Sequence, residues 1–212
     1  MEGLLGEFDP ARLDAHCHLQ HDPAFAAFAQ ANPDKHFFCM TETPQEYKEF
    51  AALDLPANAH LGVGLHPWQV AGEEEAARQQ VAAVLQLLSR TWLVGEVGLD
   101  FGAAHEATRV QQLAAFEVIA AACAQVGGKV LSIHAVQSAG EALSILQRTG
   151  CLDTCSCIFH WFSGAGDQLT AARAAGCYFS FGPRALATKR GRAYAAQVPP
   201  ARLLRESDSY AL

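Results

Sequence analysis

Two histidines, His16 and His18, stand one residue apart at the end of a short apolar run in the sequence RLDAHCHL. Residues i and i+2 of a β-strand point to the same side, so two imidazoles at this spacing can approach one metal ion together. Imidazole nitrogens are common ligands of zinc, manganese and iron. Two surface or core histidines would look the same, so the meaning of the pair depends on the ends of the other strands.

Residues that can bind metal also end five other strand-like runs. They are His66 in GLHPW, Glu96 and Asp100 in GEVGLD, His134 in SIHA, His160 in HWFSG and Asp208 in ESDSY. A carboxylate or imidazole that ends an apolar run is partly desolvated, which costs free energy unless the group is paired or bound to metal. Several such groups converging on one place need a shared partner, and a divalent cation provides one.

Eight strand-like runs alternate with helical patterns along the chain. The predicted strands are Leu13–His16, His36–Met40, Leu61–Leu65, Trp92–Val97, Lys129–His134, Ser156–His160, Tyr178–Phe181 and Leu203–Ser207. This alternation predicts an α/β fold, a closed (β/α)8 TIM barrel, with an open doubly wound sheet as the alternative. In a barrel the carboxyl ends of all strands meet on one face, where the active sites of this fold lie.

The composition fits a single domain over residues 1–212, because half of the residues are hydrophobic and 17% are charged. No apolar run reaches the roughly 18–20 residues that span a membrane. The first residues, MEGLLGEFDPARLD, do not resemble a signal peptide, so we expect a cytoplasmic protein. The net charge of −7 argues against broad electrostatic binding of nucleic acid, but bound metal ions could supply positive charge for a polyanionic substrate.

Seven motifs follow one another between residues 14 and 210: DAHCHL, GLHPW, GEVGLDF, SIHA, HWFSG, GCYFSFGP and LLRESDSY. In this order they resemble the TatD family of metal-dependent hydrolases and deoxyribonucleases, which are amidohydrolase-like TIM barrels. Three segments, KVLSIH, HWFSG and GCYFSF, are also similar to the QatD-type nucleases of an anti-phage defence system. Most family members continue into a closing C-terminal helix, which this sequence lacks.

The resemblance implies a centre of two divalent ions, of zinc, manganese, magnesium or iron. Its ligands would be His16, His18, Glu96, His134, His160 and Asp208. Glu96 would bridge the two ions, and His66 would contact a substrate phosphate. Two such cations activate a water molecule and bind the oxygens of a phosphate, while Asp208 can also take a proton from that water. The expected activity is hydrolysis of phosphodiester bonds in single-stranded DNA or at DNA ends.

Substrate contacts beyond the metal centre are less specific. Many TatD relatives carry an arginine, which would bind phosphate, where this chain has Val136. Arg184 belongs to a basic C-terminal stretch that could contact a DNA backbone or could simply be solvated. Trp68 and Trp161 could stack on a base or pack in the core. Two other functions therefore stay open: an amide or ester hydrolase with the same metals, and a catalytically weakened barrel that serves as a binding partner.

The missing closing helix also has a consequence for assembly. Without it, an apolar groove beside the first and eighth strands would face solvent, and proteins rarely expose a large apolar patch. Either the N-terminal segment with Leu4, Leu5 and Phe8 covers this groove, or a second copy of the chain does. We expect a symmetric homodimer, because most homo-oligomers are closed pairs.

Overall fold

The computed structural model describes residues 4–212, and within them eight parallel strands close into a barrel in the order of the sequence. The strands are β1 (Leu13–Cys17), β2 (His36–Met40), β3 (Ala59–Leu65), β4 (Leu93–Asp100), β5 (Val130–Val136), β6 (Ser156–His160), β7 (Tyr178–Phe181) and β8 (Leu203–Arg205). The predicted TIM barrel is therefore confirmed, and the open doubly wound sheet is excluded.

Helices connect the strands on the outside of the barrel. They are α1 (Phe25–Ala31), α2 (Pro44–Ala51), α3 (Glu74–Leu87), α4 (Arg109–Val126), α5 (Ala139–Arg148), α6 (Cys151–Thr154), α7 (Gly166–Ala174), α8 (Pro183–Ala187) and α9 (Lys189–Ala195). Apolar residues three or four positions apart face the strands, as Val81 and Val84 do in α3. None of the helices in residues 4–212 is both long and apolar enough to cross a membrane.

The carboxyl ends of four strands differ from the prediction, and that of β1 differs by one residue, at Cys17. β4 and β5 extend further, because they continue to pair in register from Gly98 with His134 to Asp100 with Val136. β8 stops at Arg205, two residues early, because the amide of Ser207 donates to the Asp14 carboxylate instead of to a neighbouring strand. With these bounds Glu96 lies within β4, four residues before its end, whereas the other predicted metal ligands lie within three residues of the carboxyl ends of their strands.

The N-terminal segment packs against the interior of the barrel at the end opposite the predicted site. Leu5 belongs to one apolar cluster with buried residues of β1, β2, β4, β5, β6 and β8. Residues from all these strands can touch one another only inside the barrel. The Phe8 ring packs edge-on against the Phe38 ring, with centroids 5.1 Å apart, and its centroid lies 5.7 Å from that of Trp92. This segment therefore fills the amino-terminal end of the barrel and does not cover the groove beside β1 and β8.

Residues 206–212 follow β8 without forming a helix. They cross the carboxyl-terminal face, where the Asp208 amide donates to the His16 carbonyl at 3.0 Å and the His18 amide donates to the Ser209 carbonyl at 2.8 Å. Beside β1 and the end of this segment lies a cavity of about 530 Å³ whose walls include Phe28, Phe37 and Leu212. The segment thus ties the last strand to the loop after β1 and brings Asp208 to the HxH motif.

Candidate metal centre

Glu96 is the centre of the site. It is 3% exposed near the carboxyl end of β4, and ring nitrogens of five histidines surround its carboxylate. The distances to the nearer carboxylate oxygen are 3.2 Å for His16 Nε2, 3.5 Å for His18 Nε2, 3.2 Å for His66 Nε2, 2.8 Å for His134 Nδ1 and 2.8 Å for His160 Nε2. The predicted strand-end residues therefore meet in one pocket, although their roles as ligands stay a prediction.

Acceptors outside the centre fix which nitrogen of His18 and of His134 faces it. His18 Nδ1 lies 3.1 Å from the Met40 carbonyl, which can only accept, so that nitrogen carries the proton. His134 Nε2 lies 3.2 Å from an Asp100 carboxylate oxygen, and His16 Nδ1 lies 2.7 Å from the Ser132 hydroxyl. With the outer nitrogen protonated, a neutral ring presents a lone pair inward. Metal-binding histidines are oriented in this way by a second hydrogen bond.

His66 has the opposite arrangement. Its Nδ1 accepts a hydrogen bond of 3.1 Å from the Trp68 backbone amide, so Nδ1 cannot carry a proton. The ring proton then lies on Nε2, the nitrogen that faces Glu96. His66 consequently offers a hydrogen-bond donor to the pocket where His18 and His134 offer lone pairs. This difference supports a role in binding substrate and argues against a role as metal ligand.

Asp208 completes one side of the site. Its Oδ1 lies 3.8 Å from His16 Nε2 and 4.0 Å from His18 Nε2. These spacings are longer than a hydrogen bond and leave room for a shared cation. Burial raises the pKa of Asp208, and the nearby Glu96 carboxylate adds to the effect. A carboxylate with a raised pKa is a better proton acceptor than a free one, which fits the predicted role of Asp208 as a base.

The donor set fits divalent metal ions. Three groups in the described part of the chain hold ligand atoms within 4.8 Å of one another: His16 with Glu96 and His160, His16 with His18 and Asp208, and His66 with Glu96 and His134. Nitrogen from imidazole and oxygen from carboxylates suit zinc, manganese and iron. The first two groups share His16. The third group contains His66, whose Nε2 carries the ring proton and therefore donates a hydrogen bond.

The charge states of Glu96 and His16 favour the binding of cations at this centre. Burial alone would raise the pKa of Glu96, but His160, His16 and His66 together with the hydrogen bond from His134 hold it well below its usual range. Burial also lowers the pKa of His16 to about 3, so this ring is neutral and can donate its lone pair. A charged carboxylate among mostly desolvated imidazoles is costly without a cation and favourable with one.

Two glycines allow the strands to approach Glu96 closely. A Cβ at Gly64 would lie 1.9 Å from the Thr41 carbonyl oxygen and 2.5 Å from the Glu96 amide nitrogen. Gly98 has a φ of +138°, and a Cβ there would lie 2.1 Å from the His134 carbonyl oxygen. Side chains at these positions would displace the backbone of β4 or its neighbours. The glycines in GLHPW and GEVGLD thus position the predicted metal ligands.

The pocket above the centre has a volume of about 450 Å³. Trp161 and Arg184, both predicted to contact substrate, line it, and so does Val136, where the family resemblance implies an arginine. The positive charge of Arg184 partly offsets the rise that burial causes in the pKa of Asp208. The predicted substrate-contacting residues are therefore brought to the same pocket, while their roles are not tested.

The other basic residues of the C-terminal stretch are largely engaged elsewhere. Arg190 donates to the Gly164 carbonyl, Arg192 donates to the carbonyls of Leu186 and Ala187, and Arg202 donates to the Gly176 carbonyl. Bonds to backbone carbonyls hold these guanidinium groups against the protein. They do not form the continuous edge for a DNA backbone that the sequence leaves open, and Arg184 is the basic residue that lines the pocket.

One part of the pocket wall, formed by Glu42 and Tyr210, is absent from the prediction. The Tyr210 ring stacks on His18, with centroids 4.4 Å apart and planes 7° apart, and its hydroxyl donates to Glu42. Gln69 Nε2 also donates to Glu42 at 2.9 Å. Glu42 follows β2 and Tyr210 is near the chain end, so only the barrel brings them together. Glu42 after the run HFFCM was a strand-end carboxylate that could have been noted.

Glu206 is a second buried carboxylate that the prediction did not include. It accepts hydrogen bonds from the Ser180 hydroxyl and, at 3.1 Å, from the Trp161 amide. Its Oε2 lies 3.8 Å from His160 Nδ1, and burial raises the pKa of Glu206 to about 7. Glu206 therefore supports the backbone at Trp161, which has a φ of +39°, and lies behind His160.

Comparison with known proteins identifies a family. A family model described as TatD related DNase matches residues 13–211. A curated relative, the 3′-5′ ssDNA/RNA exonuclease TatD of Edwardsiella piscicida, is 34% identical over 119 residues, which are 55% of this chain. The matched part spans 45% of the length of that relative.

Solved structures show the same fold. A TatD homologue from Escherichia coli K12 superposes with a TM-score of 0.79 at 20% identity, over 94% of this chain and 80% of the other. A hydrolase of the TatD family from Entamoeba histolytica superposes with a TM-score of 0.74 at 16% identity, over 92% and 73%. At these identities the comparison establishes the barrel and leaves the chemistry to the site.

Proposed function

Because the chain belongs to the TatD-related DNase family, we propose that it is a metal-dependent phosphodiesterase that acts on single-stranded DNA or on DNA ends. One observation carries the proposal: ring nitrogens of His16, His18, His134 and His160 converge on the buried carboxylate of Glu96. A cluster of this composition, buried and without a lysine or an arginine in contact, needs a cationic partner. We propose two divalent ions, of zinc, manganese, magnesium or iron.

The ligand assignment follows the inward nitrogens. His16, His18 and Asp208 would hold one ion, and His134 with His160 the other, with Glu96 between the two. When bound, such ions lower the pKa of a water molecule and neutralise phosphate oxygens. Asp208 then accepts the proton of the attacking water through its carboxylate, which lies at the edge of the pocket.

Other residues hold the substrate. His66 donates its Nε2 proton to a phosphate oxygen, since its Nδ1 is already an acceptor. Arg184 offers a second positive group on the pocket wall, and Trp161 lines the pocket beside His160. Glu42 and Tyr210 also line the pocket, and the Glu42 carboxylate repels phosphate. A polyanion is thereby directed toward the side of Arg184.

The name of the curated relative supports nucleic acid as the substrate class. An amide or ester hydrolase is the second candidate, and the observation in its favour is Val136, an apolar side chain that lines the pocket where relatives carry a phosphate-binding arginine. The complete set of ligands argues against a catalytically weakened barrel.

The decisive assay compares substrate classes with one metal-loaded preparation. We expect release of nucleotides from end-labelled single-stranded DNA and no turnover of small aryl amides or esters. Two bound ions would stabilise the attacking and leaving oxygens of a phosphodiester, and Arg184 adds a further positive charge to the pocket. Turnover of the amides or esters without DNA cleavage would replace this proposal with the second candidate.

Four further expectations remain predictions: a single domain over residues 1–212, a cytoplasmic location, a closer relation to QatD-type nucleases and a symmetric homodimer. The groove beside β1 and β8 bears on the last of these. The N-terminal segment packs in the barrel interior and does not cover this groove. We expect a second copy of the chain to cover it.

A further inference from the structure

Trp68 is an exposed aromatic residue at the mouth of the pocket. It lies in a short 3-10 helix, Pro67–Gln69, directly after His66 at the end of β3. Its side chain is 54% exposed and lines the pocket, whereas Trp92 and Trp161 are partly buried. The proposed chemistry on the phosphate does not use it. An aromatic ring exposed in a pocket that would bind nucleic acid is available to stack on a base.

The indole ring is held in a fixed orientation. Its Nε1 donates a hydrogen bond of 2.7 Å to Asp100 Oδ2. Asp100 is held in turn by the Gly102 amide, which donates to its other oxygen at 2.8 Å. One face of the indole stacks on His105, with centroids 5.1 Å apart and planes 10° apart. The N–H edge and one face are thus engaged, so the exposed area belongs to the other face and the outer edge.

This fixed ring is next to the groups that would bind phosphate. Its centroid lies 4.8 Å from that of His66 and 6.0 Å from that of His134. A planar group stacked on Trp68 would therefore be within one nucleotide of a phosphate that accepts the His66 Nε2 proton. Stacking on an aromatic side chain is sequence-tolerant, because every base has a π face.

We propose that Trp68 is the stacking platform for the nucleobase of a nucleotide next to the scissile phosphate. This inference rests on the proposed function and adds the base as a recognised part of the substrate. The platform makes the enzyme prefer single-stranded substrates, since a base in a duplex is already stacked and paired. Its loss should weaken substrate binding about ten- to hundredfold, the usual contribution of one stacked base.

The test must separate stacking from an effect through Asp100, which accepts the hydrogen bond of Trp68 and also lies 3.2 Å from His134 Nε2. Trp68→Phe keeps an aromatic face and loses the N–H group, whereas Trp68→Ala loses both. Each is assayed on a single-stranded oligonucleotide and on the same oligonucleotide with abasic residues around the cleaved bond. Leu53→Ala, which also alters a large exposed apolar side chain (59% exposed), is the control and should match the wild type.

We expect the wild type to prefer the normal oligonucleotide, mainly through a lower KM. Trp68→Phe should keep most of this preference, and in Trp68→Ala it should disappear. An equal loss in Trp68→Phe and Trp68→Ala on both oligonucleotides would overturn the inference, because Trp68 would then act through Asp100. A wild type that treats both oligonucleotides alike would overturn it as well.

A binding measurement keeps this test independent of the proposed function. Chelator-treated protein is titrated with each fluorescently labelled oligonucleotide, and binding is followed by anisotropy. Tighter binding of the normal oligonucleotide by the wild type, lost in Trp68→Ala, supports the base platform even if no cleavage occurs. Cleavage of DNA together with equal affinities for the two oligonucleotides leaves the function standing and rejects the platform.

Discussion

Replacing Glu96 with glutamine should reduce metal-dependent hydrolysis by orders of magnitude while the barrel remains folded. Glutamine has nearly the same shape, so the packing inside the barrel is preserved. It removes the negative charge that lies within 3.2 Å of nitrogens of His16, His66, His134 and His160. Without this carboxylate, two cations have no group between them to offset their repulsion. The measurement is the rate of DNA cleavage together with metal content and thermal unfolding.

The matched control for this change is Glu106→Gln. Glu106 is an exposed carboxylate in the 3-10 segment Ala103–Thr108, so it should tolerate the same substitution. We expect wild-type rates and metal content for the control. If Glu96→Gln cleaves DNA at a rate near that of the wild type, Glu96 is a packing residue and the two-metal proposal is wrong.

Replacing His66 with alanine should lower the rate about a hundredfold without reducing the metal content. The loss corresponds to one hydrogen-bond donor to a phosphate oxygen in the transition state. The reason for the unchanged metal content is the bond from the Trp68 amide, which leaves the proton of His66 on Nε2. His66→Gln should recover part of the rate, since its amide N–H group can reach the position of Nε2.

The comparison variant is His134→Ala, which removes an inward lone pair of the same pocket. Here we expect the metal content to fall together with the rate, because Asp100 fixes the proton of His134 on Nε2 and leaves Nδ1 for a metal. Elemental analysis of both variants separates the two roles. Loss of a metal ion in His66→Ala would place His66 among the ligands.

The sequence predicts the parts of the molecule that depend on residue type and strand ends. The alternation of strands and helices indicates the barrel, and barrel geometry places all carboxyl ends of the strands on one face. This is why Glu96 and His160, 64 residues apart, could be assigned to one site before their 2.8 Å contact was seen. The extension of β4 to Asp100 is an exception, because it depends on pairing with β5 and is not visible in the residues of β4 alone.

Features that depend on the closed barrel could not be predicted in this way. The bond between Tyr210 and Glu42 joins residues 168 positions apart. The protonated nitrogen of His18 is set by the Met40 carbonyl, which carries no signal in the sequence. The N-terminal segment was one of two candidates to cover the groove beside β1 and β8, with a second copy of the chain as the favoured one. Leu5 packs instead at the end of the barrel, in one cluster with buried side chains of six strands.

One measurement tests the central claim most directly: cleavage of end-labelled single-stranded DNA by protein stripped with a chelator, before and after divalent metal is restored. We expect no cleavage by the stripped protein, because its remaining groups do not activate water, and recovery as metal returns to His16, His18, Glu96, His134, His160 and Asp208. Cleavage by the stripped protein at the rate of the reloaded protein would contradict the account.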